Sequence, residues 1–330
     1  ISAGADPGPV CYGLGGDKPT VTDANLVLGY LPVELAGGAR RLSLPDAEMA
    51  IAGQIGNSLG LSAVEAAHGI REVVNANMAR AIRAVTVERG VDPRDFTLVA
   101  IGGSGPVHAA ATAGLLSMPG LLVPATPGVS TAMGMLSGDI ERYYTAPIGS
   151  IVEAVDLGNL ARVTDELRRK AAETLREEGV AEADMELLAE ATMRFRGQEM
   201  SLSIPFAEPF DPATVRKAFL DPYRSIYSYT SSDAVEVVGI RMTGRGLRPG
   251  RLDFRKLSAP EAEEAGPFAR RKVYFGTEEG WIDTPIYDRV RSPRKLVGPV
   301  ILEAADSTVV VPPKAVAERD DFLNLHIRLA

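Results

Sequence analysis

The residues best suited to chemistry in this 330-residue chain cluster in a few places. Leu98–His108 reads LVAIGGSGPVH, an apolar run that ends in Gly102-Gly103-Ser104-Gly105 and turns directly into a helix carrying His108. A buried strand that breaks at Gly-Gly-x-Gly before a helix lets backbone approach a ligand closely and aims free N–H groups at it. A phosphate, a ribose or a purine suits such a turn, although glycines also make tight strand-to-helix turns for packing alone. It is not a Walker A loop, since no GK[ST] follows, and it lacks the third glycine at Rossmann spacing, because Pro106, Val107 and His108 follow Gly105. His108, one turn into the helix, is either a packed and hydrogen-bonded histidine or a ligand or base.

Thr20-Val21-Thr22-Asp23-Ala24-Asn25-Leu26 offers a second candidate. Thr22 and Asp23 can cap a helix starting near Asn25. Asp23 can equally orient a magnesium-bound phosphate or an attacking water, which needs a carboxylate on a rigid turn. Asn75 and Asn77 sit in the middle of a helical pattern, where Asn is unfavourable without a partner. Arg80 and Arg83 follow them, so the amides point either to polar contacts with a loop or ligand or to a solvated face. Cys11 has only His68, His108 and His326 elsewhere in the chain to join it, which makes a Cys/His zinc site a poor fit. No G-x-S-x-G occurs to support a serine triad.

The elements that must hold these residues follow from periodicity and caps. Pro45 opens a helix running to about Leu59. Ser62 with Glu65 makes a capping box for a helix with an apolar stripe at Ile70, Val74, Met78, Ile82 and Val85, running to Glu88 and stopped by Gly90. Leu98–Ile101 and Leu121–Val123 read as strands, each followed by a helix, at 107–116 and 129–136. A charged amphipathic helix spans 156–178, a hairpin turns around Gly197-Gln198, a helix covers Pro212–Tyr227 and a long strand 235–245. The end of the chain is mostly short strands, and Ala259–Gly266 is an acidic linker or surface loop.

Composition limits the class. With 35 Lys+Arg against 43 Asp+Glu the net charge is −8, which argues against a duplex nucleic acid as partner. A single cysteine forms no internal disulfide, so no oxidising compartment is implied. No Asp, Glu, Lys or Arg lies between Phe96 and Gly138, but repeated Gly and Pro break every window long enough to span a membrane. That segment reads as a buried α/β core.

In their order along the chain, several segments resemble the hydantoinase A/5-oxoprolinase family, which also includes acetone- and acetophenone-type carboxylase subunits. They are SAGADPGPVCYG (2–13), TVTDANLVLG (20–29), NANMARAIR (75–83), DPRDF (92–96), GGSGPVHA (102–109), FRGQ (195–198), VEVV (235–238), DTPIYDR (283–289) and GPVILE (298–303). The resemblance implies an α/β fold, a ribonuclease-H-like actin/Hsp70/sugar-kinase ATPase lobe with a β-rich C-terminal region. It implies ATP with Mg2+ (or Mn2+) as cofactors, contacts to the nucleotide from Gly102, Gly103, Ser104 and Gly105, and catalytic or cleft roles for Asp23, Asn75, Asn77 and His108. The activity it implies is phosphorylation of a carbonyl oxygen in a cyclic-amide hydrolase, with a ketone carboxylase subunit or a non-catalytic assembly module as alternatives.

The family's D-x-G-G-T phosphate motifs lie upstream of the matched region and none occurs here, so the sequence is expected to be the C-terminal part of a longer subunit. Its expected partners are the N-terminal half of that subunit, a hydantoinase B-like subunit and a small cyclic amide or ketone, in the cytoplasm and without nucleic acid or membrane. Tyr223 stands where relatives tend to carry His, and Ser292-Pro293-Arg294-Lys295 replaces a Pro-Gly turn. The expected domains are 1–150 (part of the ATPase lobe), 151–258 (α+β) and 259–330 (β-rich).

Overall fold

The computed structural model describes residues 3–4, 6–35, 38–248 and 264–329. The helices are α1 (Val21–Val27), α2 (Leu44–Ile51), α3 (Asn57–Leu59), α4 (Ala63–Val85), α5 (Gly105–Leu115), α6 (Ser130–Ser137), α7 (Leu157–Glu177) and α8 (Pro212–Tyr227). The strands are β1 (Glu34–Leu35), β2 (Arg40–Arg41), β3 (Leu98–Val99), β4 (Gly120–Val123), β5 (Ile140–Ile151), β6 (Met185–Phe195), β7 (Leu202–Pro205) and β8 (Val235–Gly246). They continue as β9 (Ala269–Tyr274), β10 (Trp281–Asp288), β11 (Lys295–Val297), β12 (Val300–Glu303), β13 (Thr308–Val311), β14 (Val316–Arg319) and β15 (Leu325–Arg328).

In space these elements form two units, residues 3–133 with 264–329, and residues 134–248. The first holds a five-stranded sheet in the order β11-β14-β15-β4-β3 and a four-stranded sheet in the order β13-β12-β10-β9. β3 runs parallel to β4, with Val99 opposite Leu122, and α5 supplies the crossover that parallel neighbours need. β15 lies antiparallel on the other side of β4, placing Leu325 opposite Val123. One core gathers Leu26, Leu28, Ile51, Val107 and Ile301, and a second gathers Ala113, Leu121, Leu302, Val309 and Leu325.

The second unit is an antiparallel sheet, β5-β8-β6-β7, with buried residues of α7 and α8 joining the core of Phe195, Met193, Phe219 and Ile240. A Cβ added to Gly244 of β8 would lie 3.1 Å from that of Ala171 on α7, so the glycine permits close helix–sheet packing.

The α/β fold class with a β-rich C-terminal region holds, but the spatial grouping differs from a division in sequence order. A boundary at 150/151 falls inside β5, and one at 258/259 lies outside the described residues, as does most of Ala259–Gly266. The late strands join the first unit because β15 completes the sheet beside β4.

Two elements differ locally from expectation. β5 has no counterpart in the sequence reading, because its 12 residues carry Glu141, Arg142 and Pro147 and lack a clean apolar alternation. On α4, Ile70, Val74, Met78 and Ile82 are only partly buried, and Val85 is exposed. The fully buried face lies one residue along, at Ala67, Arg71, Asn75 and Ala79. Small alanines admit the neighbouring helices, and the two polar residues between them are held by specific hydrogen bonds. Among the described residues no helix is long and apolar enough to cross a membrane.

Candidate functional site

The glycine turn is assembled from three loops. Gly102 adopts φ 84°, in the left-handed region that favours glycine, and its N–H donates to the Pro127 carbonyl at 2.7 Å. The Gly103 carbonyl accepts from Thr308 N–H at 3.4 Å. Ser104 is the N-cap of α5 but its side chain makes no capping bond, which leaves the hydroxyl exposed. The helix starts at Gly105, two residues before the expected Val107, and Pro106 occupies a first-turn position where no amide donor is needed.

A cavity of about 860 Å3 opens beside this turn, lined by Gly103, Ser104, Tyr12, Thr22, Arg271 and the 303–308 hairpin among others. Gly102 and Gly105 are not part of its wall. Arg271 is fixed there, donating to the Gly29 carbonyl at 2.7 Å and pairing with Glu303 at 2.9 Å.

His108 lies behind the turn, buried, with both ring nitrogens occupied. Its Nδ1 is 2.8 Å from Asn75 Oδ1, and its Nε2 is 3.0 Å from Asn25 Nδ2. An amide oxygen accepts and an amide nitrogen donates, so with these amide orientations the ring is the neutral tautomer protonated on Nδ1. Burial, with the nearby Arg71 cation adding to it, depresses His108 to about 4. Arg71 donates to the Val107 carbonyl at 2.8 Å and its guanidinium lies 4.0 Å from the centre of the Tyr30 ring. Asn25 Oδ1, Asn75 Nδ2 and Arg71 Nε are buried without a hydrogen-bond partner among the described residues.

The structure therefore joins His108 with Asn75 and separates both from Asn77. Asn77 is two residues along α4, on its exposed side, where it accepts from Arg80. Asp23 is likewise apart from the cavity. Thr20, not Thr22 or Asp23, is the N-cap of α1, and Asp23 closes the capping box from the third helical position. The fully buried carboxylate accepts from Cys11 N–H at 2.7 Å, Val10 N–H at 3.3 Å, and the Thr20 N–H and hydroxyl, each at 2.7 Å. It fastens the N-terminal loop to α1. Burial and the Asp23 carboxylate push the Cys11 thiol far up, which makes it inert.

Three residues of this region were not singled out by their pattern: Asn25, Arg71 and Asp306. Asn25 lies within the TVTDANL segment and Arg71 at helical spacing from Asn75, so a polar stripe at four-residue intervals was the available signal. Nothing local marks Asp306, which reaches the turn through the fold. Among the described residues no group of three or more His, Cys, Asp or Glu side chains converges as a metal site.

The site is thus a glycine turn at a cavity, with a buried polar cluster behind it, in a mixed α/β lobe. The Hydantoinase/oxoprolinase family matches residues 1–144 and its C-terminal domain matches residues 152–330, so the chain belongs to the hydantoinase/oxoprolinase family. It is 36% identical to caprolactamase subunit alpha of Pseudomonas jessenii, over 94% of this chain and 46% of that relative. It is 34% identical to the acetophenone carboxylase gamma subunit of Aromatoleum aromaticum, over 95% of this chain and 45% of that relative. The crystal structure of ATP-dependent caprolactamase from Pseudomonas jessenii superposes with a TM-score of 0.77 at 32% identity, covering 99% of this chain and 49% of that one. The chain thus spans about half the length of the curated relatives it matches.

Proposed function

We propose that this chain is the C-terminal part of an ATP-dependent cyclic-amide hydrolase subunit that works with an N-terminal half and a hydantoinase B-like partner. The observation that carries the reading is the glycine turn at the cavity, in a chain similar along nearly its whole length to an ATP-dependent caprolactamase. ATP, when bound, supplies a phosphoryl group that activates a carbonyl oxygen toward attack.

The residues present fit a nucleotide. Gly103 leaves its backbone bare at the cavity, where a Cβ would come within 3.1 Å of the Asp306 carbonyl, and Ser104 offers an uncommitted hydroxyl. In this reading the Gly103–Ser104 backbone and hydroxyl bind and orient the nucleotide. His108 and Asn75 hold α5 and its N-terminus in place. Asp23 serves as a loop anchor, Gly102 and Gly105 shape the turn, and Asn77 has no role in the site. Among the described residues no three His, Cys, Asp or Glu side chains converge as a metal cage, so a Mg2+ or Mn2+ ion would be held chiefly by the phosphates of the nucleotide it accompanies.

Similarity to the acetophenone carboxylase gamma subunit supports a second reading, an ATP-dependent ketone carboxylase subunit. Calorimetry with ATP and Mg2+ on the chain alone and on the chain joined to its N-terminal half tests the nucleotide reading. Binding in the pair is expected; silence in both samples would leave only an assembly module. Ring opening of a lactam or oxoproline by the complete enzyme is the expected activity, whereas bicarbonate-dependent formation of a carboxylate from a ketone would move the assignment to the carboxylases.

A further inference from the structure

We infer that Asp306 is a positioning residue that sets the nucleotide-binding turn by clamping Gly103 against Gly128; the inference rests on the nucleotide reading of that turn. Asp306 sits in the four-residue connection between β12 and β13, strands whose paired residues Leu302 and Val309 are both 0% exposed. The hairpin is closed by Ala304 N–H donating to the Ser307 carbonyl at 2.9 Å. Asp306 is therefore carried on a stiff support anchored in the core.

From there it touches both sides of the turn. Its Oδ2 accepts from Gly128 N–H at 2.9 Å, and its Oδ1 accepts from the Ser307 hydroxyl at 3.1 Å. A Cβ at Gly128 would lie 2.6 Å from the Asp306 carbonyl oxygen and 2.7 Å from its Cβ, so only glycine allows this approach. On the other side, the same carbonyl stands 3.1 Å from the position of a Gly103 Cβ. Two backbone bonds close the arrangement: Gly102 N–H to Pro127, at 2.7 Å, and Thr308 N–H to Gly103, at 3.4 Å.

The turn is thus held between the 124–128 segment and the 304–308 hairpin, and among the described residues Asp306 is the one side chain whose hydrogen bond ties these two to each other. Both carboxylate oxygens are engaged by the chain itself. Asp306 therefore acts on a ligand through the placement of Gly103 and Ser104. Removing the carboxylate frees Gly128 and lets the turn widen, and a methyl group at Gly128 pushes Asp306 away from the other side.

The test uses the complete enzyme carrying this chain, with ATP and Mg2+ as the probe. Asp306→Ala is expected to raise the ATP dissociation constant at least tenfold and to speed hydrogen exchange in peptides spanning 100–108 and 124–130. Asp306→Asn keeps an acceptor oxygen for Gly128 N–H and is expected to stay within threefold of the wild type. Gly128→Ala should reproduce the Asp306→Ala loss, and the double variant should be no worse than the weaker single variant. Unchanged ATP affinity in Asp306→Ala, additive losses in the double variant, or equal losses in Asp306→Asn and Asp306→Ala would each overturn the clamp. If the wild type binds no ATP, the nucleotide reading falls, and unchanged exchange in the two peptides then overturns the clamp on its own.

Discussion

Asn75 Oδ1 can only accept, so the proton it meets on His108 must reside on Nδ1, and the ring's Nε2 is left to accept from Asn25. Protonating Nε2 would set two donors against each other, within reach of the Arg71 cation. Burial and that cation both oppose the charge, which is why His108 falls to about 4 from its ordinary value near 6.5. The unfolded chain therefore binds the proton more readily than the folded one between those two values. Stability contributed by neutral His108 is complete above pH 6.5 and is lost as pH falls toward about 4, to a total of about 3 kcal/mol. Urea denaturation from pH 7 to pH 4.5 should show this loss in the wild type and a flatter profile in His108→Gln. Parallel profiles would mean that another group is responsible. Sequence alone left this histidine open between packing and chemistry, because the choice depends on Asn25, 83 residues away along the chain.

Helix α4 shows how far an element can be read from sequence and where the reading stops. Its start was legible because Ser62 and Glu65 form a local capping box, with Ser62 N–H donating to Glu65 Oε2 at 2.8 Å. Its buried face was not, because large apolar residues at Ile70, Val74, Met78 and Ile82 carry the stronger pattern while Ala67, Arg71, Asn75 and Ala79 are the ones enclosed. Hydropathy cannot rank an arginine and an asparagine as interior positions; only their partners on α5 do. The same limit hid β5, whose pairing to β8 along nearly its full length supplies what its own composition lacks. The two asparagines on α4 give a direct check of the face. Asn75→Ala leaves His108 Nδ1 unpaired in a buried setting and should cost about 1–3 kcal/mol. Asn77→Ala touches only the exposed side and should stay within about 0.5 kcal/mol. Chemical denaturation of the two variants measures both, and a larger loss at Asn77 would contradict the assigned face.

At the scale of the whole molecule, the two units ask different things of the chain. Residues 134–248 are contiguous, and every strand of the β5-β8-β6-β7 sheet finds its partners within them. Their core of Phe195, Phe219, Tyr223, Val235 and Ile240 is closed by their own helices α7 and α8. The other unit is built from both ends of the sequence: β15 supplies the partner of β4 on one side, and β3 offers only two residues of parallel pairing on the other. Without the final strands, β4 would keep a single short neighbour, and Leu121, Val123 and the inner face of α5 would lose Val309, Leu325 and Ile327 as packing partners. A sheet reduced to two short strands does not hold itself together in water. Expressed alone, residues 134–248 should therefore fold, with a circular dichroism spectrum of mixed helix and strand and a single cooperative urea transition. Residues 1–133 alone should show neither cooperative unfolding nor protected amides in β4. A non-cooperative 134–248 fragment, or a cooperatively folded 1–133 fragment, would overturn this division. The glycine turn likewise depends on the chain's last strands, since the hairpin that carries Asp306 and the strand that completes the sheet behind the turn both come from beyond residue 299.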